Sequence, residues 1–282
     1  TITATDTANV STPAAAVPAT KTDVWAVNPA ITFSLVPGAT GLVPNGAIPD
    51  GVVGRQYGKP LGANDLVFTG SGGLGNAVGF GLTGTATGTF VTDSGLVCAP
   101  ATAQVGATAT VTCNSGGGVS TLGGTATAKT LVMAFSDTGN STTPLGATNT
   151  DSDGYNNYSN TMAAALAIAL QAGSPDPANV NAQAVVGRTY GAAPEAPVVY
   201  EASGGLPGYT LSRSGPLVVP PNSNICLVPV IAATTLACNS GGVGATGSTA
   251  ALTVTVDDTA NATTPSGSDS LLKTYTVNPA VT

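Results

Sequence analysis

ALTVTVDD at Ala251–Asp258 and KTYTVNP at Lys273–Pro279 alternate side chains with period two, the pattern of antiparallel strands that bury one face. The residues between them, TANATTPSGSDSLL, are rich in Thr, Asn, Ser, Gly and Pro, which make turns. This strand pair sets the reading of the whole chain, because pieces of it occur three times. SDTGNSTTP around Asn140 matches DDTANATTP around Asn261, and TDTANVSTP at Thr5–Pro13 matches both. VNPAIT at Val27–Thr32 likewise matches the terminal VNPAVT at Val277–Thr282.

Other landmarks repeat in the same order. VVGRQYG at Val52–Gly58 returns as VVGRTYG at Val185–Gly191, an offset of 133, and SGGL at Ser71–Leu74 returns at Ser203–Leu206. CNSGG at Cys113–Gly117 returns at Cys238–Gly242 with an offset of 125, and the Asn140 and Asn261 segments are 121 apart. The shrinking offset means shorter loops in the second copy. The expected organisation is residues 1–32 as the last strand pair of a preceding repeat, 33–174 as one repeat and 175–282 as the next. MAAALAIALQAG (Met162–Gly173) has helix propensity, but its place in the repeat corresponds to LLKTYTVNP, so a strand is expected there.

Composition points the same way. Of 282 residues 42% are hydrophobic and only 7% charged, with 37 Gly and 20 Pro. Charged helix surfaces are nearly impossible with so few ionic side chains, whereas Thr- and Val-rich strands joined by Gly, Pro, Asn and Ser turns fit. A net charge of -7 with seven scattered Lys and Arg argues against nucleic acid, which requires clustered cations. The absence of His removes the commonest general base and metal ligand. No apolar run approaches the ~20 residues of a membrane span. The N-terminus lacks the basic start and apolar core of a signal peptide, as expected if a leader has been removed or the chain belongs to a longer product.

The second copy resembles the Ig-like, cadherin-like tandem repeats of bacterial surface proteins. The resemblance rests on Gly187–Tyr190, EASGGLPGYTLS at Glu201–Ser212, Thr253–Asp257 and Tyr275–Pro279. The chain departs from that family's usual middle segment and carries two cysteines there. The resemblance implies an all-β fold of tandem immunoglobulin-like β-sandwich domains and a repetitive structural or adhesive role at the cell surface. It brings no catalytic residues.

Each copy holds one cysteine pair, Cys98 with Cys113 and Cys226 with Cys238. The 14 and 11 intervening residues do not suit a CxxC metal site, and no His completes one. Intradomain disulfides and an oxidising compartment are expected; the other reading is free buried thiols. Asn9, Asn140, Asn157 and Asn261 stand in N-x-S/T triplets, which read either as glycosylation sites or as turn residues. Asn149, Asp151 and Asp153, followed by Gly154, resemble the start of a calcium loop. The closing Glu is missing, with Asn160 in its place, so the other reading is a solvated turn. Asp137, Asp257 and Asp258 at the ends of equivalent strands are weaker candidates for calcium between domains. Otherwise no cofactor is expected.

Ser is plentiful, but no G-x-S-x-G elbow with a His partner exists, and the SGGL stretches lack the Lys and βαβ context of a phosphate loop. They read as turns, and Trp25 and Tyr275 as core plugs ahead of a carbohydrate platform. The expected function is an extracellular structural protein, not an enzyme: a filament or stalk of units joined head to tail to copies of itself. Strands Thr1–Thr7 and Lys21–Ile31 would complete the sheet of a preceding unit by strand addition. No small-molecule substrate is expected. The alternative is an adhesin that uses loops such as Thr148–Asn160 on an inert scaffold.

Overall fold

The computed structural model of the chain describes residues 2–4, 19–24, 27–35, 48–58, 64–73, 81–99, 104–105, 108–116, 120–137, 157–191, 194–215, 225–226, 233–239 and 248–282. They form strands in several sheets, with one short α-helix, α1 (Thr89–Thr92), and one 3-10 turn, Val180–Ala182. The first strands are β1 (Ile2–Ala4), β2 (Ala19–Lys21), β3 (Thr32–Leu35), β4 (Gly51–Val52), β5 (Leu66–Ser71), β6 (Gly81–Thr87), β7 (Val97–Ala99), β8 (Gln104–Val105), β9 (Thr108–Asn114), β10 (Thr127–Asp137) and β11 (Asn157–Ala163). After them come β12 (Ala167–Leu170), β13 (Ala184–Val185), β14 (Val198–Ser203), β15 (Thr210–Ser214), β16 (Thr235–Cys238), β17 (Ser248–Asp257) and β18 (Ser268–Asn278).

Two sheets, β3-β5-β9-β7 and β4-β11-β10-β6-β8, share one buried cluster, in which Phe68 and Val111 of the first meet Leu131, Met133 and Phe135 of the second. Sheets β12-β14-β16 and β13-β18-β17-β15 repeat the arrangement, with Tyr200 and Leu236 on one side and Leu211, Val254, Val256 and Tyr275 on the other. The correspondence extends to a parallel pairing in each unit, β4 with β11 and β13 with β18. Period-two alternation causes this burial: Leu66, Phe68 and Gly70 of β5 are buried while Val67, Thr69 and Ser71 are half-buried. β17 and β18, which contain Ala251–Asp257 and Lys273–Asn278, run in register from Ser248↔Val277 to Asp257↔Ser268.

The two cores solve the same packing problem with different residues. In the first, Phe135 lies opposite Gly84. A Cβ on Gly84 would stand 2.4 Å from Val111 Cγ2, and one on Gly70 would stand 2.4 Å from the Phe135 ring. In the second, Val256 lies opposite Leu211, and Ala202 replaces Gly70 in the repeat. The large ring in one core thus accompanies missing methyl groups beside it, the volume balance that close packing demands.

Met162–Gly173 is extended, but it is two strands and not one. β11 ends at Ala163 beside β10, and β12 begins at Ala167 beside β14. Strand partners outweigh the helix propensity of its alanines. The break between them is where the chain leaves one pair of sheets for the next. β12 therefore lies upstream of residue 175, where the repeat alignment starts the second unit. Gly205 N–H holds the break by donating to the Ala164 carbonyl (2.8 Å), and Gly73 N–H does the same for the Pro29 carbonyl (2.8 Å). The SGGL turns thus clasp the segment that enters each unit.

At the N-terminus β1 and β2 bond to each other, with Ile2 opposite Lys21, in a sheet of their own. The expected strand Lys21–Ile31 is corrected accordingly. Lys21 ends β2, the described residues from Thr22 to Ala30 carry no strand, and Ile31 packs against the first core. Thr1, Thr7 and Trp25 lie outside the described residues. Among the described residues no helix is long and apolar enough to cross a membrane.

Candidate inter-unit docking site

The segment Val52–Gly58 follows β4 and turns sharply. Gly54 adopts φ +80°, and Arg55 N–H donates to the Val52 carbonyl (3.1 Å). Two bonds to Leu122 fix the turn, from Gly54 N–H (2.7 Å) and to the Arg55 carbonyl (2.8 Å). Tyr57 is fully buried beneath it, edge-on to Phe90 at 5.1 Å, with its hydroxyl donating to the Pro49 carbonyl at 2.9 Å. Burial pushes the Tyr57 phenol far above the usual tyrosine range, against an opposing hydrogen bond with Thr263. It is a neutral, fixed strut.

Against this turn lies the β17–β18 connection of the second unit. Asp258, fully buried, receives Leu206 N–H and Gly267 N–H, each at 2.7 Å, and these bonds shape the connection. The Asn261 side-chain oxygen caps the tip by accepting from Thr263 N–H (2.9 Å) and Thr264 N–H (2.7 Å), the turn chemistry for which Asn is suited. Thr263 and Thr264 are wholly buried.

The contact joins residues about 200 positions apart. Arg55 Nη1 sits 2.8 Å from both carboxylate oxygens of Asp258 and also donates to the Pro265 carbonyl (3.2 Å). The Asp50 carbonyl accepts from Asn261 Nδ2 (2.7 Å) and Thr264 Oγ1 (2.9 Å). Gly58 N–H donates to the Thr263 carbonyl (2.7 Å), and Asn64 N–H to the Ala262 carbonyl (2.9 Å). Only 13% of the Arg55 side chain is exposed, so the ion pair is buried and gains strength from its satisfied hydrogen bonds. Arg55 was not among the residues singled out in the sequence. Its signal lay in the repeat landmarks: VVGRQYG and DDTANATTP, two of the most alike segments, touch each other.

Both expected cysteine pairs are disulfide-bonded, Cys98 to Cys113 and Cys226 to Cys238. Cys98 and Cys113 face each other across β7 and β9. Such bonds belong to an oxidising compartment. The structure places the glycosylation candidate Asn261 in the joint, its amide nitrogen donating to the Asp50 carbonyl within a part-buried contact. Asn157 begins β11; Asn9 and Asn140 lie outside the described residues, as do Asn149, Asp151 and Asp153. The calcium candidate Asp258 accepts instead from the Arg55 guanidinium and two backbone N–H groups. Asp137 and Asp257 end β10 and β17. Among the described residues no three potential ligands cluster for a metal ion. Tyr275 is buried in the second core, its hydroxyl 2.6 Å from that of Tyr200.

Comparison with protein-family models and with curated proteins gave no match for this chain.

Proposed function

We propose that this chain is a length of an extracellular filament or stalk built from Ig-like β-sandwich units joined head to tail. The observation that carries the reading is the buried docking of one unit's β17–β18 connection on the turn of the unit before it, through Arg55–Asp258 and four bonds to or from main-chain atoms at the Asp50, Gly58 and Asn64 positions. A flexible linker between independent domains needs no such contact. Repeated units that each lock onto their neighbour make a stiff array. Disulfides and a surface of few charges suit long exposure outside the cell.

Electron microscopy of natively purified material tests the reading. Uniform fibres or straight rods with a repeat of one or two units are expected. Discrete short particles that bend freely at mid-length would overturn it and favour an adhesin.

A further inference from the structure

The second unit carries its own copy of the turn that receives the Asp258–Gly267 connection, and among the described residues no such connection is docked on it. Val185–Gly191 repeats three of the hydrogen bonds of Val52–Gly58. Arg188 N–H donates to the Val185 carbonyl (3.1 Å), and Val186 N–H to the Asn278 carbonyl (3.0 Å), as Val53 N–H does to Ala163 (3.0 Å). Gly187 and Gly191 adopt φ +76° and +63°, matching +80° and +74° at Gly54 and Gly58. The Tyr190 hydroxyl donates to the Ala182 carbonyl at 2.8 Å, as Tyr57 does to Pro49.

What differs is the occupant. Over this turn lies an open cleft of 280 Å³ lined by Gln183, Arg188, Tyr190, Gly191 and Ala196 among others. Gln183, Gly191 and Ala196 hold the repeat positions of Asp50, Gly58 and Asn64, whose main chain grips the docked connection in the first unit. Arg188 is exposed where Arg55 is covered. Among the described residues neither its guanidinium nor the Gly191 N–H has a partner.

We propose that this cleft is a docking socket for a second copy of the same chain, which inserts the connection after its β10, the sequence D-T-G-N-S-T-T-P at Asp137–Pro144. Asp137 would meet Arg188, and Asn140 and Thr143 would meet the Gln183 carbonyl. These are the counterparts of Asp258, Asn261 and Thr264. The occupant follows from three observations. Its sequence repeats that of the connection already seated in this chain. It springs from β10 and β11, the hairpin equivalent to β17 and β18. Its carboxylate complements the unpartnered guanidinium. Each new contact leaves one socket open at the far end, so the association is heterologous and does not close. The proposal rests on the head-to-tail reading and names its joint.

Charge reversal tests it on the full chain by analytical ultracentrifugation up to about 1 mM, since the tether that supplies millimolar effective concentration within the chain is missing between chains. Wild type is expected to form a concentration-dependent ladder of oligomers. Arg188→Glu and Asp137→Arg are each expected to weaken association at least about 30-fold, the loss typical of a broken desolvated ion pair. A mixture of the two is expected to regain association, because the unchanged Arg188 of one variant meets the unchanged Asp137 of the other and the two reversed charges also complement each other. Circular dichroism and thermal unfolding would show both variants folded. Oligomers of wild type that persist undiminished in both variants would overturn the socket while leaving the filament reading intact. A wild type that stays monomeric at 1 mM overturns the socket as an interchain joint, and microscopy of native material then decides the filament reading alone.

Discussion

Asp258→Ala and Arg55→Ala remove the two halves of one ion pair, yet the structure predicts unequal consequences. Asp258 is fully buried and accepts Leu206 N–H and Gly267 N–H as well as Arg55. Its loss leaves a largely buried guanidinium without its counter-charge, at roughly 3–5 kcal/mol for breaking a buried pair. It also leaves two backbone donors to find water, at about 1–3 kcal/mol each where they stay buried. Water entering a vacated site offsets part of this, so about 5 kcal/mol is expected, most of it falling on the second unit. Arg55→Ala leaves Asp258 with both N–H donors and is expected to cost only about 2–3 kcal/mol, confined to the joint. Hydrogen exchange resolves the two. In Arg55→Ala the Gly58 and Asn64 amides, which bond across the joint, should lose protection while Leu206 keeps it. In Asp258→Ala the Leu206 and Gly267 amides should open too. Equal losses in urea stability, or Gly58 and Asn64 amides equally protected in Arg55→Ala and wild type, would refute this division of labour.

Further outcomes follow from the cores and crosslinks. Gly84→Ala should cost about 1–3 kcal/mol by overpacking, since its Cβ would stand 2.4 Å from Val111 and 2.7 Å from the Phe135 ring; adding Phe135→Val, the residue of the second core, should recover part of it, and additive losses in urea melts would refute the coupling. Opening either disulfide, which close separations of 15 and 12 residues, should cost about 3 kcal/mol in the chain-entropy model, read as a lower denaturation midpoint in reductant; an unchanged midpoint would show that they add nothing. Stability should fall at alkaline pH. Burial pushes Tyr200 up to about 12, and Tyr57, Tyr190 and Tyr275 higher still. An unfolded tyrosine ionises near pH 10, so their contribution is complete below pH 10 and is lost as pH rises from there through 12. A urea midpoint that is flat from pH 9 to 11.5 would contradict this.

Much of the architecture is legible in the sequence. Period-two alternation in Ala251–Asp258 and Lys273–Pro279 becomes β17 and β18 because apolar residues on alternate positions can share one buried face only in an extended chain. The internal repeat located equivalent strands, turns and cysteine pairs, since two similar sequences meet the same physical demands. Met162–Gly173 was legible as strand from its place in the repeat, but its division into β11 and β12 was not. That division depends on which sheets accept its backbone, and those partners lie far along the chain.

The joint belongs to tertiary structure. In sequence Arg55 is one of seven cations and Asp258 one of two adjacent aspartates after a strand. Nothing local says that they meet, and Asn261 reads as well for a glycan as for a cap. Folding brings the Asp258–Gly267 connection onto the Val52–Gly58 turn, excludes water, and turns a solvated carboxylate into a buried counter-ion. The sequence by itself determined what repeats. The tertiary structure decided which of the repeated surfaces pair in this chain, because pairing depends on the distance between surfaces and on the water expelled from between them.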